Sequence, residues 1–167
     1  MKPTLPKVII TDKDTASDYL LAEMYQPTDL ACVLSINDRE STLPVGFHEF
    51  GGHKIALFFE DVTVSWGRHA APDADDARKI VAWAKGVNGT CLVHCRAGIS
   101  RSTAAAIAIP AVRSEPSQAN ARAIMRWLVE IRYVADPNPL LVALLDDEIG
   151  WNGHLYDARA WRFPKPR

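Results

Sequence analysis

The chain has 167 residues, with 19 Lys and Arg against 20 Asp and Glu, a formal net charge of −1 and 48% hydrophobic residues. That describes one ordinary globular domain, 1–167, able to bury about two-thirds of its unfolded surface without disulfides or a structural metal. The balanced charge argues against a nucleic-acid or polyanion binder, which shows a basic excess or stripe. Cys32, Cys91 and Cys95 are an odd number and make no secreted disulfide framework, so a reducing, cytoplasmic setting fits. The opening Met1–Lys7 lacks the apolar core of a secretion signal, and no apolar run reaches the roughly 18 residues of a membrane span. Neither a nucleic acid nor a membrane is expected as a partner.

In chain order, Val8-Ile9-Ile10 reads as a short strand, and a helical pattern from about Thr15 to Tyr25 stops before Pro27. Asp29 to Ile36 is a buried-strand pattern closed by the turn residues Asn37, Asp38 and Arg39, and Lys54 to Phe59 is a further strand running into Glu60-Asp61-Val62. Between Pro72 and Gly86, Ala77, Ile80, Val81 and Ala84 recur at helical spacing, with Asp73 as N-cap and Gly86 as stop. Thr90 to His94 is a strand that leads into a glycine-bearing stretch, Cys95 to Ser102. An alanine-rich helix follows from Ser102 to Val112, kinked or ended by Pro110. Ser117 to Val134 reads as a helix with Ile124, Trp127, Leu128 and Ile131 on its core face. Asn138-Pro139 begins a last helix that Gly150 ends, and the tail 151–167 gives no periodic signal. This alternation predicts a single-domain α/β fold, a mostly parallel central sheet with helices on both faces.

The stretch that carries chemistry is His94-Cys95-Arg96-Ala97-Gly98-Ile99-Ser100-Arg101-Ser102. It lies where a strand gives way to a helix, so backbone N–H groups can converge on one point that attracts anions. Cys95 opens this nest, where the amides and the Arg101 cation favour a thiolate over a thiol. Arg101, six positions on, offers a planar fork that suits two phosphate oxygens in a way a lysine cannot match. Gly98 supplies backbone freedom and Ala97 keeps the mouth open. Ser102 is placed to set its hydroxyl against the sulfur, and His94 to fix the cysteine's backbone from behind.

These nine residues resemble the signature loop of the cysteine-based protein tyrosine phosphatases, in particular the small dual-specificity branch. Phe59-Glu60-Asp61-Val62, Ser102-Thr103-Ala104-Ala105-Ala106 and Asp136-Pro137-Asn138 extend the resemblance over about residues 8–150, toward a group of small bacterial predicted tyrosine phosphatases. The resemblance implies a phosphoprotein phosphatase, tyrosine or dual-specificity, working through a cysteinyl-phosphate. Cys95 would be the nucleophile, and Arg101 with the amides of Arg96, Ala97, Gly98, Ile99 and Ser100 would hold the phosphate. Asp61 would be the general acid, with Ser102 and His94 assisting. It implies no metal and no cofactor, phosphorylated proteins or small phosphate esters as partners, phosphate, sulfate or vanadate as site ligands, and a monomer.

Plainer readings stand beside these. Cys32 reads as structural, and Cys91 and Cys95 would lie about 13 Å apart on one strand, too far for a disulfide; a pairing of Cys95 with Cys32 stays open. Glu60, Asp73, Asp75 and Asp76 compete with Asp61 for the acid, the last three as first-turn charges of a helix. Asn37, Asp38 and Arg39 line a pocket or make a plain turn, and Trp66-Gly67-Arg68-His69 makes a substrate rim or an ordinary loop. Arg96 either favours acidic substrates or faces solvent. His48, His53, His69 and His154 lack metal-ligand spacing. Two further classes remain: a catalytically weak phosphate-binding module, and, more remotely, a rhodanese-type sulfur transferase.

Overall fold

The computed structural model describes residues 5–164. Met1–Thr4, part of the opening read for a leader, and the last three residues of the tail lie outside them. Four strands, β1 (Val8–Thr11), β2 (Leu30–Asn37), β3 (His53–Phe58) and β4 (Thr90–His94), form one parallel sheet in the order β1-β4-β2-β3. The central strands read as continuous apolar runs because both of their faces are covered. Every residue of β4 is buried. On one face, Val33 and Leu92 pack against Ala16 and Leu20 of α1 (Lys13–Tyr25) and against Phe47 and Phe50. On the other, Cys32, Leu34, Ile36, Cys91 and Val93 meet α2 (Ala74–Lys85), α3 (Arg101–Ala106), α4 (Ala108–Ala111), α5 (Gln118–Ile131) and α6 (Pro139–Ile149).

Because every strand runs the same way, their carboxyl ends share one edge. There Thr11 and Ser35 flank His94, and Asn37 sits beside Phe58. The loops that leave this edge and the start of α1 therefore converge on one place, where open α/β sheets gather ligands. Gly98 fixes the closest approach. Its φ is +67°, and a Cβ built on it would lie 2.4 Å from the Thr11 carbonyl carbon and 2.7 Å from the Asp12 nitrogen. Only glycine fits.

The structure departs from the sequence reading in four places. First, α1 starts at Lys13, two residues ahead of the predicted start, because the Asp12 side chain accepts from the Thr15 amide at 2.8 Å as an N-cap. Second, the alanine-rich helix breaks at Ile107 and restarts as α4, which puts Pro110 in a first turn, where its missing N–H costs no intrahelical bond. Third, α5 ends at Ile131, and Arg132 leaves it to donate from Nε to the Gly98 carbonyl at 2.9 Å. Fourth, the tail holds a helix, α7 (His154–Arg162). Its support is tertiary: buried Asp146 accepts from the amides of Gly153, Leu155 and Tyr156 at 2.6–3.1 Å, and Arg159 donates to the Pro137 carbonyl. Among the described residues no helix is long and apolar enough to cross a membrane.

Candidate active site

Residues 95–100 link the end of β4 to α3, and most of their carbonyls face outward to a donor. His94 Nδ1 lies 3.3 Å from the Cys95 carbonyl, the Lys13 amide reaches that of Arg96, and Arg132 Nε that of Gly98. The Asp136 amide donates to Ile99 and the Asn138 amide to Ser100. With the carbonyls turned out, the amides turn in. The Gly98 amide points at Cys95 Sγ from 3.3 Å, and the amides of Arg96, Ala97, Ile99 and Ser100 find no protein acceptor among the described residues.

Cys95 is 2% exposed, and its Sγ lies 3.1 Å from Ser102 Oγ. Behind it runs a relay across the sheet. Asn37 Nδ2 donates to Ser35 Oγ at 2.9 Å, which leaves the Ser35 hydroxyl hydrogen for His94 Nε2 at 2.7 Å. This arrangement puts the His94 proton on Nδ1, facing the Cys95 carbonyl. Burial pushes the His94 pKa down to about 4 against the pull of that carbonyl, so the ring is neutral across the working range. His94 therefore orients the Cys95 peptide and adds no charge.

Arg101 is 3% exposed. Its Nη1 donates to Asp38 Oδ1 at 2.7 Å and to the Phe59 carbonyl at 2.6 Å. These two bonds use one nitrogen and fix the plane of the group. Nε is fully buried without a partner, an unusual state for a guanidinium. The Nε–Nη2 edge is thus the free edge, the geometry that meets two oxygens of a phosphate.

Asp61 stands over the loop, exposed, on the segment that follows β3. One oxygen, Oδ1, accepts from Ser100 Oγ at 2.6 Å and from Asn138 Nδ2 at 2.9 Å, and Oδ2 has no partner among the described residues. Its neighbour Glu60 is occupied otherwise. The Glu60 carboxylate accepts from the Arg39 amide at 3.1 Å and the Ala70 amide at 2.7 Å. Partial burial raises its pKa, but those bonds outweigh burial and hold it below the ordinary carboxylate value. Asp73 and Asp76 form the capping box of α2, and Asp75 pairs with Lys79 at 2.7 Å.

One open cavity of about 900 Å³ joins Cys95, Arg101 and Asp61, and Asp38, Arg39, Arg68 and His69 line it as well. Arg96, with its side chain 81% exposed, stands at the mouth 3.9 Å from Asp38. Trp66 stays outside, its ring 4.3 Å from that of His69. Cys32 does not approach Cys95: the strand register sets it beside Cys91, at the far end of β4. Both thiols have raised pKa values through burial, Cys91 further because Cys32 is near. Among the described residues no group of three or more His, Cys, Asp or Glu is placed to hold a metal ion. Sequence reasoning missed Asn138 as a partner of Asp61, Glu60 as a loop lock, and Ser35 as a relay; the signal for the last was a pair of polar residues, Ser35 and Asn37, in an otherwise apolar strand.

No protein-family model matches the chain, and no curated protein matches it in sequence. Solved structures do match in fold. Human DUSP28 aligns with a TM-score of 0.61 and 21% identity, covering 87% of this chain and 92% of its own. DUSP15 aligns with a TM-score of 0.61 and 22% identity over 97% of this chain and 96% of its own. The human tyrosine phosphatase-like serine/threonine/tyrosine-interacting protein aligns at 0.60 and 19%, over 86% and 91%. The chain thus has the fold of the dual-specificity phosphatases.

Proposed function

We propose that the protein is a cysteine-dependent phosphatase that hydrolyses phosphate monoesters on phosphorylated proteins through a cysteinyl-phosphate. The observation that carries this reading is the half-occupied Arg101 fork beside a buried thiol: Nη1 tied to Asp38 and Phe59, Nε buried and unpartnered. A phosphate dianion supplies the acceptors this fork and the inward amides lack.

In the first step the Cys95 thiolate attacks phosphorus and the P–O bond to the leaving group breaks, while Arg101 and the loop amides hold the equatorial oxygens. Asp61 gives the proton on Oδ2 to the departing oxygen. In the second step Asp61 takes a proton from water as the water oxygen attacks phosphorus and the S–P bond breaks. The hydroxyl of Ser102, 3.1 Å from the sulfur, stabilises the thiolate that leaves. A phosphate-binding module without turnover would need the fork and the amides, yet would gain nothing from the Ser102 contact or from the clamp on Asp61.

The test is hydrolysis of an aryl phosphate. We expect turnover that vanadate blocks, and complete loss of it in Cys95→Ser with phosphate binding retained, since a serine hydroxyl is not ionised there. Activity that survives Cys95→Ser overturns the covalent mechanism; phosphate binding without turnover in the native protein favours the module.

A further inference from the structure

Three consecutive carbonyls of the nest are gripped from outside by one segment, the link of residues 132–138 between α5 and α6. Arg132 Nε donates to Gly98 at 2.9 Å, the Asp136 amide to Ile99 at 2.9 Å and the Asn138 amide to Ser100 at 3.2 Å. Two of these donors are neutral backbone groups. The third is a cation, and it falls on Gly98, the nest residue whose backbone is least restricted on its own. In a trans peptide the C=O and the N–H point to opposite sides, so holding the Gly98 oxygen outward aims the Ile99 N–H inward. That N–H has no protein acceptor among the described residues and is free for a ligand.

Arg132 acts without sharing the substrate's space, since it lies outside the wall of the cavity over Cys95. It forms no ion pair among the described residues, and the carboxylate of its own segment, Asp136, is paired with Arg159 at 3.1 Å. Because Arg132 is half-buried, its charge is screened less than that of a free surface arginine. A charged donor polarises the peptide it holds, which makes the N–H on the far side a stronger donor. It also sets one positive charge behind a site built for a dianion.

We propose that Arg132 is a positioning residue of the anion site: from outside the nest it holds the Gly98–Ile99 peptide, and thereby sets the affinity for a phosphate dianion that it never touches. This rests on the phosphate-binding reading of the nest. The role differs from that of Arg101, whose free edge meets the phosphate oxygens directly. The stop of α5 serves the same end. Arg132 takes extended backbone, φ −148° and ψ 88°, while its amide still closes the helix on the Leu128 carbonyl, and its side chain is thereby released toward Gly98.

The experiment measures inorganic phosphate binding by titration calorimetry, and aryl phosphate kinetics, on the full chain. Arg132→Met keeps the apolar stem and removes the charge and the donor, whereas Arg132→Lys keeps a charge and a donor at one point. We expect phosphate to bind Arg132→Met about tenfold more weakly, the size of one charge-assisted hydrogen bond, with KM raised by the same factor and kcat within about threefold of native. Arg132→Lys should return phosphate affinity to within about threefold of native. Arg126→Met, which removes an arginine from the exposed side of α5, should bind phosphate as the native chain does. An equal loss in Arg126→Met traces the effect to net charge and overturns the proposal. So does an Arg132→Lys that binds no tighter than Arg132→Met while both melt below the native chain, which makes Arg132 a brace of the helix end alone. If the native chain binds phosphate and Arg132→Met binds it equally, the proposal falls and the reading of the nest stands; if the native chain binds no phosphate, that reading fails and the proposal falls with it.

Discussion

The loop of residues 95–100 and the loop of residues 60–70 reach one cavity by opposite means. The first is held through its backbone: its carbonyls are tied outward, those of Arg96, Ile99 and Ser100 to backbone amides and those of Cys95 and Gly98 to His94 and Arg132, and Gly98 presses on Thr11 and Asp12 with no room for a methyl group. The second is exposed and owes its bearing to side chains. Ser100 and Asn138 reach Asp61 across 39 and 77 positions of sequence, and Glu60 ties the loop's far end at Ala70 to the Arg39 amide on the loop after β2. A backbone-held loop is all or nothing; a side-chain-held loop can be loosened one contact at a time.

The sharpest way to break the first loop is Gly98→Ala. The new Cβ meets backbone, which cannot rotate away, and its φ of +67° is strained for any other residue. With the amides no longer convergent, we expect aryl phosphate turnover to fall about a thousandfold or more, as when preorganised donors are lost at a charge-developing centre. Near-native kinetics in this variant would mean that the approach to Thr11 does not shape the nest.

Asp61→Asn attacks the second loop and should leave the first untouched. Substrates with poor leaving groups should slow about a hundredfold, the usual size of a general-acid contribution, while activated aryl phosphates change far less. Phosphate affinity should persist. If Asp61→Asn is silent and the same change at Glu60, Asp73, Asp75 or Asp76 has this effect, the acid is misassigned.

The support behind the first loop can be tested through pH. The His94 pKa falls from 6.5 in the unfolded chain to about 4 in the fold, so below pH 6.5 the unfolded state takes up a proton that the native state refuses. The neutral ring's contribution is complete above that pH and is lost on acidification from 6.5 toward 4, an amount of about 3 kcal/mol. Between pH 7 and pH 4, urea unfolding should therefore show the native protein losing about that much more stability than His94→Asn. Parallel pH dependences for the two would place the titration elsewhere.

The same contrast decides what the sequence made legible. The nine residues from His94 to Ser102 are contiguous, so the nest and its chemistry could be read before any fold was known, and the apolar strands announced a sheet covered on both faces. Asp12, Asp146 and Arg159 carried no such signal. Each is a polar residue whose partners lie at a helix start or in another element, and two of them tie α7, whose apolar face is only Leu155 and Ala158, to the rest of the fold. Asp61 could be placed after a strand, but what holds it could not, because hydrogen bonds across 39 and 77 positions leave no local pattern.

Asn138 shows how such a residue hides. Asn138-Pro139 is legible as a helix start, and the structure keeps that role: Oδ1 accepts from the Leu141 amide at 3.0 Å. The other end of the same amide, Nδ2, donates to Asp61. The two roles separate in Asn138→Ser. A serine hydroxyl caps the helix nearly as well, so thermal stability should change little, yet it is too short to reach the carboxylate. Asp61 then keeps only Ser100, and its position above the nest loosens without being lost. We expect kcat for poor leaving groups to fall about tenfold, a fraction of the general-acid effect itself, with activated substrates spared. In an Asp61→Asn background the same substitution should add almost nothing, because the group it positions is gone. A rate loss that is equal in both backgrounds would assign Asn138 to the helix alone and leave the acid loop held by Ser100 and Glu60.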